Sequence, residues 1–171
     1  MRSIKKGNVI KGAVAGIIGG LIASFVMDEF QQLVTKVAKE TGLADDKGSK
    51  KGEDEPSTVK AAEAVSEAVF DHKLTNSEKE PAGAAVHYAI GATSGFIYGI
   101  AAEMLPVATV GLGLPFGAAV WVAADDVAVP ALGLSKPLTE YPLSTHAYAL
   151  SSHLVYGLTT DLVRRAVLRV L

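Results

Sequence analysis

The stretch Asn8-Val-Ile-Lys-Gly-Ala-Val-Ala-Gly-Ile-Ile-Gly-Gly-Leu-Ile-Ala-Ser-Phe-Val-Met27 decides the fold class of this chain. It runs for about 20 residues with one charge, Lys11, and as a helix rising 1.5 Å per residue it covers a hydrocarbon core of about 30 Å. Gly12, Gly16 and Gly20 fall at every fourth position, a small-residue face that lets a second helix approach closely inside a bilayer. The basic residues before the run imitate a secretory signal, but no small-x-small cleavage site precedes Asp28. The segment is therefore read as retained, forming a first span over about residues 8–30.

Composition agrees with that reading. The 171 residues are 49% hydrophobic with mean hydropathy +0.30, which places one membrane domain, residues 1–171, ahead of a water-soluble one. A net charge of −2 and no basic stripe exclude the electrostatic footprint of a nucleic-acid binder. With no cysteine, iron–sulfur clusters and thiolate metal sites are ruled out, and His, Asp and Glu are the strong ligand types that remain.

Further along, residues 38–80 form a polar loop, whose stretch Asp45 to Glu55 is too charged to bury anything. Within it Ser57 to Phe70 places Val59, Ala62, Val65, Val69 and Phe70 on one side of a short amphipathic helix, lying on the membrane surface or on the bundle. Ser77 with Glu80 reads as a capping box that starts a long helix near Glu78, with Pro81 in its first turn. Its apolar part, about residues 82–105, carries a second series, Gly91, Gly95 and Gly99, predicted to pack on the first. Pro106 and Gly111 to Gly113 mark a turn, a third span covers about residues 114–130, and a fourth about residues 143–165. The expected fold is thus an all-α, four-transmembrane-helix bundle with a polar loop and a short amphipathic helix between spans one and two.

If the spans alternate in direction, the ionisable residues fall at two levels. His87, Asp125 and His146 lie within roughly 5–10 Å of the boundary on the side of the long loop, with His153 deeper. His146 and His153 are two helical turns apart and share a face with Thr160. Asp28, Glu29 and Asp126 are further candidates at that level, and the adjacent acids Asp125 and Asp126 point about 100° apart in a helix, so at least one faces the histidines. Glu103 and Asp161 lie toward the opposite side, where Arg164 and Arg165 can pair with them in a structural role. Ionisable groups in a bilayer cost roughly 2.5–3.5 kcal/mol at mid-depth, which makes the loop-side group the candidate site. The basic residues flanking the outer spans place both termini in the cytoplasm, and the site then faces the exterior.

Four stretches carry a resemblance: Ala61-Ala-Glu-Ala-Val-Ser-Glu-Ala-Val69, Glu80-Pro-Ala-Gly-Ala-Ala-Val-His87, Trp121-Val-Ala-Ala-Asp125 and Tyr141-Pro-Leu-Ser-Thr-His146. Over about Val59 to Arg165 the chain resembles the YagU-like family of small bacterial inner-membrane proteins, a domain of unknown function. The resemblance implies a multi-pass location in the bacterial inner membrane and a loose association with acid resistance; it places no catalytic residue.

Three functions compete. The first is a transition-metal site (Zn, Fe, Mn or Cu) with imidazoles from His87, His146 and His153 and a carboxylate from Asp125, although no H-E-x-x-H or E-x-x-H signature occurs. The second is proton or cation handling, or pH sensing, by the same residues. The third is a structural assembly subunit whose glycine faces join internal helices or a second copy of the chain. No reaction is legible, and the lipid bilayer is the one partner the composition names.

Overall fold

The computed structural model describes residues 6–42, 55–136 and 138–171, and all regular structure among them is helical. Five helices carry the architecture: α1 (Lys6–Glu40), α2 (Ser57–Phe70), α3 (Asn76–Met104), α4 (Leu114–Ala131) and α5 (Leu143–Val167). The charged stretch expected from Asp45 to Glu55 falls, apart from Glu55, outside the described residues, as do Arg2 and Lys5.

Two helices, α1 and α4, are long and apolar enough to cross a membrane, with mean hydropathies of 2.0 and 1.3 over their most apolar stretches. By length α3 and α5, at 29 and 25 residues, would also span, but Gly, Ser, Thr, Tyr and His lower their hydropathy. Those polar and small residues are largely the ones turned inward. Buried positions include Ala15, Ala23, Ser24, Ser152, Thr160 and Asp161, while Ile10, Phe25 and Ile97 are 58%, 55% and 60% exposed. A core of small and polar groups beneath an apolar surface inverts the ordering expected in water.

Close backbone approach holds the bundle together. Gly12, Gly16 and Gly20 of α1 lie against Gly99, Gly95 and Gly91 of α3, so that a Cβ on Gly16 would collide with the Gly95 carbonyl oxygen. The predicted pairing of the two glycine series is therefore seen, and its register makes α1 and α3 antiparallel. On another side of α1, a Cβ at Gly19 would stand 2.7 Å from the Thr160 carbonyl oxygen of α5. A third glycine contact joins α4 to α5, where Gly113 and Gly117 meet Gly157 and the His153 backbone. The sequence pattern marks Gly113 only as part of a turn. It does sit at a positive φ of 82° before α4, and its missing Cβ also admits Gly157. All three contacts are antiparallel, so α1, α3, α4 and α5 alternate in direction.

Three boundaries differ from expectation. Helix α1 runs to Glu40, nearly three turns past the expected end of the span, because Gln31 to Glu40 is polar yet rich in good helix formers. The capping box at the start of α3 is Thr75 with Glu78, whereas Ser77 with Glu80 had been expected: the Thr75 backbone amide and hydroxyl each donate to Glu78 Oε2 at 2.8 Å. Pro81 consequently lies one turn inside α3, where it removes one intrahelical bond. Within α4, Val122–Ala128 is π-helical, a local widening the sequence pattern did not show.

The amphipathic helix α2 has the predicted bounds. It ends at Asp71, left-handed at φ 50°, whose amide donates to the Glu67 carbonyl as in the αL capping motif, while the His72 amide donates to the Ser66 carbonyl. Val59 and Ala62 are buried, Val59 against Gly83 of α3, while Val65, Val69 and Phe70 stay exposed. Lys79 of α3 clamps the start of α2, reaching Glu55 at 2.7 Å and Glu63 at 2.8 Å. Glu55, hydrogen-bonded first of all, raises the Lys79 ammonium to about 12.

Candidate functional site

Alternating helices bring the end of α1, the start of α3, the end of α4 and the start of α5 to one level, with the N-terminus of α2 above them. The space between is a cavity of about 880 Å³ lined by Asp28, His87, Asp125 and His153, one from each long helix, and by Ser57 and Thr58 of α2. Its floor includes Tyr156, whose hydroxyl donates to the Gly91 carbonyl at 2.7 Å, and Met27.

The four ionisable groups form two pairs. His87 Nε2 lies 3.2 Å from Asp28 Oδ1 and His153 Nδ1 3.8 Å from Asp125 Oδ2. The first pair is within ion-pair distance but not aligned for a hydrogen bond, and His87 Nε2 is sealed from solvent without a hydrogen-bond partner. In the second, His153 Nδ1 is 2.9 Å from the Ala149 carbonyl oxygen, an acceptor, so this nitrogen carries the proton and donates. Neutral His153 therefore keeps its lone pair on Nε2. The carboxylates remain reachable, the Asp28 and Asp125 side chains being 35% and 40% exposed against 11% for His153.

The π-helical segment of α4 positions the adjacent acids. Asp125 lines the main cavity and also a smaller one of about 250 Å³, which Asp126, Trp121, Tyr141 and His146 share. His146 thus stands apart from His87 and His153, edge-on to Trp121 with ring centroids 6.5 Å apart. The expected single wall of His146, His153 and Thr160 divides three ways, because Thr160 is buried against α1 and its hydroxyl donates to the Tyr156 carbonyl. Glu29 is exposed and lines a surface groove with Lys36 and Lys39. Among the described residues no group of three or more His, Asp or Glu side chains is spaced to hold a metal ion.

A second polar cluster lies at the other end of the bundle. Arg164 reaches Glu103 at 2.5 Å and Asp161 at 3.7 Å, and Arg165 Nε donates to Asp161 at 2.8 Å. This is the pairing expected from sequence. The Asp161 side chain is fully buried and that of Arg164 is 6% exposed. Arg164 also sits over the Tyr98 ring at 5.9 Å, and the Lys11 ammonium donates nearby to the Leu171 carbonyl. Between the two clusters lies an aromatic layer: Tyr98 stacks on Phe116 at 4.3 Å, and Phe116 meets Tyr156 at 5.9 Å. The loop-side cavity is therefore closed toward the far side.

No curated protein and no solved structure matches the chain. A family profile does, over residues 53–162, which takes in α2, α3, α4 and most of α5, and thus His87, Asp125, Asp126, His146 and His153, but leaves out α1 with Asp28. That stretch overlaps the one on which the YagU-like resemblance was based, and the two are compatible. The match spans more than half of the chain and its description reads protein of unknown function (DUF1440), so the chain belongs to the DUF1440 family.

Proposed function

We propose that this protein is a four-span bundle of the bacterial inner membrane whose loop-side cavity takes up and releases protons, making it a pH-responsive proton or cation site. The observation that carries the proposal is the meeting of two His–carboxylate pairs from four helices in one cavity closed at its far end. Histidine is the side chain whose ordinary pKa lets charge change between pH 5 and 8. A carboxylate stands beside each imidazole, so a proton entering the cavity is held by a pair, without an isolated buried charge. The inverted polarity of the bundle supports the membrane reading, since outward Ile10, Phe25 and Ile97 and tightly packed glycines suit lipid. The association with acid resistance that the resemblance implies suits a proton-binding role.

The test is proton uptake by the full chain in lipid nanodiscs, followed with an indicator dye from pH 8 to 5. About two protons per chain should be lost in a His87→Gln, His153→Gln variant relative to the parent. Equal uptake by the two proteins would sink the proposal.

A transition-metal site is the second reading, favoured by the free Nε2 of His153, whose other nitrogen is fixed by the Ala149 carbonyl as metal-bound imidazoles usually are. It needs His87, His153 and Asp125 to draw closer than they stand. Near-stoichiometric Zn, Fe, Mn or Cu in protein purified without chelator would support it, and metal-free protein after supplementation would remove it. A role in assembly would have to use the lipid-facing surface, because the two glycine series are engaged with each other inside the bundle.

A further inference from the structure

We infer that the loop-side cavity is a binding site for a small organic cation, one with an apolar body and a single positive charge, whose binding competes with protons. This inference rests on the proton-binding reading above and names the class of guest.

Size sets the first condition. About 880 Å³ lies within the range of roughly 300–1,000 Å³ typical of small-molecule sites and is far larger than a bare ion fills. Charge sets the second. Among the described residues, Asp28 from α1 and Asp125 from α4 are the acids in the lining, His87 from α3 and His153 from α5 are the bases, and no lysine or arginine lines it. The segment at the start of α2 adds Pro56, Ser57 and Thr58, none ionisable, and Tyr148 and Tyr156 are the other titratable groups of α5 that face the space. With both imidazoles neutral the described lining holds two carboxylates and no formal positive charge. With both protonated its four groups cancel, so acid removes the attraction for a cation.

The remaining lining suits an organic body. Met27, Ile90 and Val120 supply apolar wall, while Tyr148 and Tyr156 supply aromatic rings of the kind that attract cations. Ser24, fully buried with no hydrogen-bond partner for its hydroxyl, also borders the space and offers a polar contact that the protein itself leaves unused. The far end is closed by Tyr156 and Phe116, so a guest enters and leaves on the loop side.

The probe is benzyltrimethylammonium, which cannot lose its charge, with benzyl alcohol as the neutral control. Both are titrated calorimetrically into the full chain in phosphatidylcholine nanodiscs at pH 8 and pH 5.5. The lone tryptophan, Trp121, stands one turn before Asp125 and gives a second, fluorescence readout. Saturable binding of the cation at pH 8 is expected, weakened about tenfold or more at pH 5.5 and by Asp125→Asn, with benzyl alcohol failing to saturate. Asp28→Asn, on the opposing helix, makes the same test should Asp125→Asn fail to fold. No saturable cation binding, equal binding at both pH values, or equal binding of benzyl alcohol overturns the inference. Proton uptake in the same samples separates the two proposals: uptake without cation binding removes this one and leaves the first, and absence of both removes both.

Discussion

The two ends of the bundle handle buried charge in opposite ways. At the far end Glu103, Asp161, Arg164 and Arg165 neutralise one another at distances down to 2.5 Å, with Asp161 wholly buried. At the loop end Asp28, His87, Asp125 and His153 stand in two looser pairs at 3.2 and 3.8 Å around a cavity, with carboxylates more than a third exposed. The far cluster has permanent charges closely paired across helices, which suits a latch that fixes α3 against α5. The loop cluster has switchable charges and room, which suits exchange. The proximity of acids and bases alone does not mark a site; the type of base and the free volume beside it do.

The contrast breaks most sharply at the far end. Arg164→Ala takes from Glu103 its ion-pair partner inside the bundle and leaves Asp161 to Arg165 alone, and removing one partner of a buried pair costs about 3–5 kcal/mol. The variant should lose most of its folded population in a detergent or urea titration, while Arg164→Ala combined with Glu103→Gln should recover part of it. Gly95→Val comes next, since its side chain would meet the Gly16 carbonyl and force α1 from α3; overpacking of this kind costs about 1–3 kcal/mol. The same titration should show that loss, and Gly42→Ala, with open space around it, should cost less by removing only a left-handed glycine. Tyr156→Phe deletes one hydrogen bond to Gly91, worth about 0.6 kcal/mol on average between membrane helices.

At the loop end stability should scarcely move. His87→Gln at a loosely paired, partly exposed position should change unfolding by less than about 1 kcal/mol, the value typical of weak ion pairs, yet abolish its share of proton uptake. The smallest effect concerns the start of α3. Thr75, through its backbone amide and then its hydroxyl, lowers the Glu78 carboxyl from 4.5 to about 2. A lowered carboxylate lends stability above pH 4.5 that fades as pH falls toward 2, so the protection of the Ser77 to Lys79 amides, relative to their intrinsic exchange, should fall through that window. In Glu78→Gln that protection should lose its pH step.

Much of this was legible because it follows from periodicity and charge. The glycine series fixed how α1 and α3 pair, α2 matched its predicted bounds, and Glu103 and Asp161 found Arg164 and Arg165 as expected. His87, Asp125 and His153 reached one cavity because alternating helices leave little choice of level. What was missed depends on local geometry that residue types do not encode. The π-helical turn at Val122–Ala128 sends Asp126 to the smaller cavity, where His146 also faces. The pairing of Asp28 with His87 depends on the α1–α3 register, which sets the two side chains 3.2 Å apart. Gly113 and Gly117 repeat the four-residue spacing of the other two glycine series, a sequence signal for the α4–α5 contact with Gly157.

Reversible protonation of the loop-side pairs is observed directly by histidine-selective nitrogen NMR of the full chain in nanodiscs. Between pH 8 and 5 the resonances of His87 and His153, assigned by single substitution, should pass reversibly from the neutral to the imidazolium form, and His153 in its neutral form should carry its proton on Nδ1. Two imidazoles that keep one protonation state across that range would contradict the proposal and leave the loop-side cluster, like the far one, a fixture of the fold.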